Sequence, residues 1–204
     1  MSASRLGVFG GTFDPIHHAH LAIAEQAREQ LDLREVLFVP AGRTVHKPSA
    51  KVSPAEHRAR MVELAIADNP RFMLSRIELE RGGPSYTVDT LAGLAAERPA
   101  DELVLIVSAE AARQLSTWRE PARIVALARV AVVPRLGYET PSAAWLAAQT
   151  GAPPERFTFV DTPALGHSAT DIRRRVGAGA SIRYLVPSAV DDYIRQHRLY
   201  QATS

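Results

Sequence analysis

Short apolar runs alternate along the chain with longer segments in which apolar positions recur every three or four residues. The runs predict strands over 5–10, 35–40, 72–79, 103–107, 129–133 and 157–160. Between the first two, a helical period passes through Leu21, Ile23, Ala24, Ala27 and Leu31; further helices are expected over 54–67, 87–98, 142–149, 168–177 and 188–198. Turn chemistry marks the boundaries. Gly10, Gly11, Asp14 and Pro15 close the first run, and a Gly-rich stretch over 80–86 separates the third run from its helix. Ser53, Pro54 and Glu56 read as a capping box with proline at the first helical position, Thr87 reads as an N-cap, and Ser168 with Asp171 resembles a second capping box.

Apolar strands joined through amphipathic helices imply parallel pairing, because parallel neighbours need a crossover, and a parallel sheet must be covered on both faces. The expected class is α/β, a doubly wound parallel sheet. Ligands in such sheets bind beyond the carboxyl ends of the strands, so the loops after the first four strands are the ones to search. With 204 residues and no solenoid repeat, the chain is expected to form one domain, 1–204, in which 163–204 makes a small C-terminal helical part.

Hydrophobic residues make up 46% and charged residues 23%, which suits a packed globular core and excludes a disordered or fibrous chain. Lysine and arginine number 24 against 22 acidic residues, a formal charge of +2. That surplus is too small to imply nucleic acid or an anionic membrane, so any anion site must be local. The absence of cysteine removes disulfides, thiolate metal sites and cysteine nucleophiles together. The sequence has neither a basic leader nor an apolar run of membrane length, and a cytoplasmic protein without membrane partners is expected.

The loop after the first strand carries the densest chemistry. Gly10 and Gly11 allow backbone N–H groups to approach a ligand closely, Thr12 and Phe13 follow, and the next helix points its positive end at the same place. His17 and His20 stand three apart, so a helix that begins by His17 puts both on one face of its first turn, where they can donate to an anion, while His18 points elsewhere. The loop lacks both the G-x-G-x-x-G of dinucleotide sites and the G-x-x-x-x-G-K-[ST] of P-loops. A metal site from His17, His18, His20 and His46 is the rival reading. Adjacent helix-start histidines cannot point the same way, and no carboxylate stands at matching spacing, so no protein-bound metal is expected. Late in the chain Arg173, Arg174 and Arg175 crowd the early turns of a helix, where the macrodipole disfavours cations; one held there suits an anion, and only one can face the crevice.

Gly-Gly-Thr-Phe-Asp-Pro-Ile-His17 with His20, paired with the late Ser168-Ala169-Thr170-Asp171-Ile172-Arg173, resembles the two signatures of the nucleotidyltransferase superfamily of adenylyl- and cytidylyltransferases. Pro40, His46-Lys47, the segment from Ser85 through Tyr86 and Thr87 to Leu91, and Trp118 make the chain similar, over nearly its whole length, to the bacterial nicotinate-nucleotide adenylyltransferases. The resemblance implies a Rossmann-like nucleotidyltransferase fold and transfer of the adenylyl group of ATP to nicotinate mononucleotide in NAD biosynthesis. It implies catalytic roles for His17, His20, Lys47 and Arg173. It assigns ATP phosphates to Gly10, Gly11, Thr12, Phe13, Ser168 and Thr170, and nicotinate mononucleotide to Ser85, Tyr86, Thr87, Glu110 and Trp118, with Trp118 stacked on the pyridine ring. Mg²⁺ enters as a cofactor bound through the ATP phosphates.

The chain departs from the family pattern at Ala19, His167 and Ala169, and at Ser108-Ala109-Glu110, where the family has Gly-Ala-Asp beside the acceptor ribose. Two alternatives stay open on sequence grounds: a sister adenylyltransferase using nicotinamide mononucleotide or another phosphate monoester, and a non-catalytic nucleotide-binding protein. Homo-oligomerisation also stays open.

Overall fold

The computed structural model describes residues 4–43, 52–162, 166 and 168–201. Six parallel strands, β1 (Ser4–Gly11), β2 (Glu35–Pro40), β3 (Phe72–Leu74), β4 (Asp101–Ser108), β5 (Ala128–Val133) and β6 (Phe157–Phe159), form one sheet in the order β3-β2-β1-β4-β5-β6. The connections run outward in opposite senses from β1 and β4, so the topological switch point lies between them, and β1 delivers Gly10 and Gly11 there.

The helices are α1 (His18–Gln30), α2 (Ala55–Ile66), α3 (Ile77–Arg81), α4 (Thr87–Glu97), α5 (Ala109–Arg113), α6 (Pro121–Leu127), α7 (Ala143–Thr150), α8 (Ala169–Gly177) and α9 (Ser188–Gln196). Strand side chains alternate between two cores. Val36, Phe38, Val104, Ile106, Ala131 and Val133 pack beneath α1, α2, α8 and α9, while Leu37, Val39, Leu103, Leu105, Val130 and Val132 meet α4, α6 and α7 on the other face. Burial on both faces is why these strands read as continuous apolar runs. Among the described residues no helix is long and apolar enough to cross a membrane.

The third strand is shorter than its apolar run suggested. Pairing with β2 stops at Phe38↔Leu74, because two residues on Pro40 has no N–H to offer the ladder. Ser75 closes the pairing through its N–H to the carbonyl of Phe38 (2.9 Å), and the good helix formers from Ile77 onward make α3 instead. The capping box at Ser53 does not form either. The first helical bond, Arg58 N–H to Pro54 carbonyl (3.3 Å), makes Pro54 the N-cap, and Glu56 pairs with Arg76 (2.6 Å) rather than turning back. At α4, Asp89 and Thr90 both donate to the carbonyl of Tyr86, so Tyr86 and not Thr87 is the N-cap. Ser168 does cap α8, its Oγ accepting from the Asp171 N–H (3.1 Å), but the Asp171 carboxylate turns forward to Arg174.

Ser53 is used differently from a cap. Its carbonyl accepts from Arg58 Nε (2.9 Å), and Arg58, only 2% exposed, also donates to the carbonyls of Thr12 (2.8 Å), Ala41 (2.6 Å) and Gly42 (3.1 Å). Gly42 must lack a side chain here, since a Cβ would lie 2.6 Å from the carbonyl oxygen of Glu78. Replacing Arg58 with Met keeps the packing volume and strips these carbonyls of their donor. Unfolding free energy is expected to drop by about 3 kcal/mol or more, read by urea denaturation, because each buried polar group left unpaired costs on the order of 1 to 3 kcal/mol. A change below 1 kcal/mol would show that water replaces the guanidinium.

Candidate active site

Two recesses open at the carboxyl end of β1 and share Thr12. The first, about 190 Å³, is floored by β-strand aliphatics and walled by Gly10, Gly11, Ser85, Thr87 and Trp118. The second, about 200 Å³, is polar and lined by Phe13, His17, His20, Ser168, Thr170 and Arg173, with Asp14 and Arg135.

Local sequence explains the junction. A Cβ on Gly10 would meet nothing within 4 Å, so its backbone faces open space. At Gly11 a Cβ would lie 2.9 Å from the Phe13 ring, because Phe13, at φ 49°, folds back over the loop and packs edge-on against Phe9 and His20. His17 is the buried N-cap of α1. Its ring stacks on His20, with centroids 3.7 Å apart and planes at 21°, which brings together the pair that the spacing predicted. His18 is exposed, and its N–H donates to the carbonyl of Leu185 (3.1 Å).

The His17 N–H donates to His20 Nδ1 (3.2 Å). In a neutral imidazole the other nitrogen then carries the proton, so Nε2–H is the donor that His20 can present to the recess. Part of the ring surfaces there, while Phe9, Phe13 and His17 enclose the rest. That burial, then His17, then the cation of Arg135 hold the His20 pKa well below the usual imidazole value.

Arg173 reaches the same recess. Its Nη1 donates to the Asp14 carbonyl (2.7 Å) and its Nη2 to Thr170 Oγ1 (3.2 Å). Arg174 pairs with Asp171, and Arg175 closes on the Ser181 carbonyl (2.8 Å), so Arg173 is the member of the triplet that faces the crevice. On the apolar side Ser85 Oγ accepts from the Gly42 N–H (2.9 Å), and the start of α4 leaves its first N–H groups without acceptors inside the helix. Tyr86 instead lies beneath the Arg119 guanidinium (4.9 Å to the ring centre). Glu110 is turned toward Tyr138, whose hydroxyl donates to it (3.0 Å), and Arg135 (3.8 Å); it lines neither recess. Ser108 uses its hydroxyl to cap α5, accepting from the Ala111 N–H (3.2 Å). Lys47, His46 and His167 lie outside the described residues.

The chain's match to the cytidylyltransferase-like family model spans residues 8–175. It is 45% identical over 97% of its length to the probable nicotinate-nucleotide adenylyltransferase of Thermomicrobium roseum, covering 92% of that protein. The protein of the same name from Thermus thermophilus is 47% identical, with 97% of this chain and 100% of that one covered. The chain belongs to the cytidylyltransferase-like family, among its nicotinate-nucleotide adenylyltransferases. Solved structures of the nicotinic acid mononucleotide adenylyltransferase from Plasmodium falciparum share the fold at 16% identity. The one with APC superposes with a TM-score of 0.78 and the one with NaAD with 0.79, each over 97% of both chains.

Arg58, Glu78, Arg135 and Tyr200 were not expected at the site from sequence, and Asp14 was expected only as a turn residue. Arg58 had a signal: it occupies the apolar stripe of α2 with Met61, Val62 and Ala65, where a charge needs partners. Glu78 is buried, accepts from the Thr90 hydroxyl (2.6 Å) and lines the apolar recess.

The His20 shift has a consequence for stability. The unfolded chain protonates this ring near the ordinary value while the folded chain holds it neutral, so below about pH 6.5 the unfolded state binds more protons. The contribution is complete above that pH and is lost as the pH falls through and below it. Denaturant titrations between about pH 8 and pH 5 should show unfolding free energy declining on the acid side, and His20→Gln should flatten that decline. An unchanged slope in the variant would mean that the folded protein tolerates the charged ring.

Proposed function

We propose that this protein transfers the adenylyl group of ATP to nicotinate mononucleotide, giving nicotinate adenine dinucleotide and pyrophosphate. The observation that carries the reading is the meeting, at Thr12, of an apolar recess with a tryptophan wall and a polar recess lined by His17, His20 and Arg173. One suits a pyridine ring, the other a polyphosphate. An oxygen of the acceptor 5′-phosphate attacks the α-phosphorus in line; a new P–O bond forms as the bond to the β-phosphate oxygen breaks, and pyrophosphate carries away the electron pair. The acceptor phosphate is already an anion, so no base is required, and catalysis is alignment plus charge stabilisation.

Neutral His20 donates from Nε2–H to the oxygens that gain charge at the α-phosphorus, and His17 supports it. Arg173 and Lys47 steady the β- and γ-phosphates, while Gly10, Gly11, Thr12, Phe13, Ser168 and Thr170 cradle them. Ser85 and Thr87 at the start of α4 receive the nicotinate carboxylate, Trp118 covers the ring, and Tyr86 flanks Thr87, while Glu110 reaches the acceptor only once its carboxylate leaves Tyr138 and Arg135. The polar recess has one carboxylate among its lining residues, Asp14, and both its oxygens are engaged. Its donors therefore fit a Mg²⁺ that arrives on the ATP phosphates and keeps its waters; when bound, that ion offsets phosphate charge. We place the protein in the cytoplasm as a single catalytic domain, 1–204, with 163–204 as its C-terminal helical part and with no nucleic-acid or membrane partner.

The acid acceptor should be preferred over the amide. The carboxamide turns its own donors toward N–H groups, and two unpaired buried groups at on the order of 1 to 3 kcal/mol each predict a preference of about a hundredfold or more in kcat/KM. A ratio near one would move the assignment to an amide-using sister enzyme. For catalysis, His20→Ala should lower kcat by about a hundred- to a thousandfold with little change in ATP affinity, since the donor acts on charge that develops in the transition state. Near-normal turnover in pyrophosphate-release assays would remove His20 from this role.

A further inference from the structure

The chain does not end with α9. Leu199 N–H bonds back to the Ile194 carbonyl (3.0 Å), and Arg198 and Tyr200 take positive φ values of 51° and 64°. These left-handed turns bend the segment back under the polar recess. Its last described side chain with a hydroxyl, Tyr200, donates to Asp14 Oδ1 at 2.6 Å. The other carboxylate oxygen, Oδ2, accepts from the Ser53 N–H (3.1 Å). Asp14 also receives Arg173 at its backbone carbonyl, so one residue joins the C-terminal segment, the start of α2 and the arginine of the phosphate recess.

A buried tyrosine hydroxyl needs some acceptor, and a satisfied core tyrosine would explain a single bond. Three observations go further. The acceptor is a 3% exposed carboxylate on the phosphate loop itself. The Tyr200 backbone carbonyl lies close to Gly177 at the end of α8, 3.4 Å from where a Cβ would stand, so the segment also abuts the helix that bears Arg173. Finally, Arg173 already donates to the Asp14 backbone carbonyl, so the Asp14 carboxylate and this cation sit on two residues that are bonded to each other.

We infer that Tyr200 is a positioning residue for adenylyl transfer: by occupying Asp14 Oδ1 it keeps the carboxylate off Arg173, and so leaves that guanidinium directed at the phosphates of the nucleotide. Without the hydroxyl, Asp14 competes with ATP for Arg173. The effect belongs to the nucleotide side of the reaction. Asp14 and Arg173 line the polar recess, whereas Ser85, Thr87 and Trp118 line the apolar one.

The proposal rests on the adenylyl-transfer reading, and its test separates the two. In the full-length protein, Tyr200→Phe should weaken ATP binding, measured by titration calorimetry with ATP and no acceptor, by about tenfold, the scale of one hydrogen bond to a charged group. kcat/KM for ATP should fall in parallel, with KM for nicotinate mononucleotide unchanged. Tyr193→Phe removes a hydroxyl from the same helical region, where it bonds His57 Nδ1 (2.9 Å) between α2 and α9, and should leave ATP binding intact. In an Arg173→Lys background, Tyr200→Phe should add little, because the group it protects is gone. Additive losses, an equal loss from Tyr193→Phe, or a loss confined to the acceptor KM would overturn the role of Tyr200. A wild-type protein that binds ATP but transfers nothing to nicotinate mononucleotide would overturn the proposed reaction alone, since the calorimetric arm still reads Tyr200.

Discussion

The guanidinium of Arg58 ties together three stretches of chain that belong to different elements. Thr12 belongs to the loop after β1, Ala41 and Gly42 leave β2, and Ser53 introduces α2, yet all four carbonyls converge on one side chain. Desolvation lowers the pKa of Arg58, with Asp14, Tyr200 and Glu78 opposing that shift; an arginine starts so high that it stays charged regardless. A planar cation with five N–H donors suits a set of carbonyls approaching from several directions, which a lysine ammonium on a flexible stem does not. Both recesses are built on the backbone that this residue fixes.

The division of labour at the site follows from the sheet. Because β1 lies at the switch point, its carboxyl end faces helices of both layers. One face of its Gly10-Gly11-Thr12 turn looks into the aliphatic floor under α4, and the other looks toward α1 and α8. A neutral ring and a polyanion can therefore be seated side by side without either entering the other's environment. Stacked histidines complete the polar half: the His17 backbone sets the His20 tautomer, so a loop of fixed sequence spacing determines which nitrogen is the donor.

Much of this was legible before any coordinates. The doubly wound class, five of the six strand cores and the pairing of His17 with His20 follow from apolar period and spacing; helix geometry allowed one of Arg173, Arg174 and Arg175 to face the crevice, and the family resemblance named Arg173. What escaped depends on contacts distant in sequence. The run over 72–79 looks like one long strand until Pro40, on the neighbouring strand, is seen to lack a donor. Ser53 has every local feature of an N-cap and is claimed by Asp14 and Arg58 instead. Tyr200 lies beyond the last helical period, where no local pattern announces a partner 186 residues earlier.

In the loop after β1 the direction of the backbone dipoles also matters. A loop that approaches a triphosphate presents carbonyl oxygens as readily as N–H groups, and each carbonyl left facing the ligand would repel it. Here the carbonyl of Gly11 is taken by the Ala41 N–H (2.9 Å), that of Thr12 by Arg58 (2.8 Å) and that of Asp14 by Arg173 (2.7 Å). Three negative ends of the loop are thus matched to donors within the protein. Each such match tilts the loop toward positive polarity, in a chain whose formal charge is only +2.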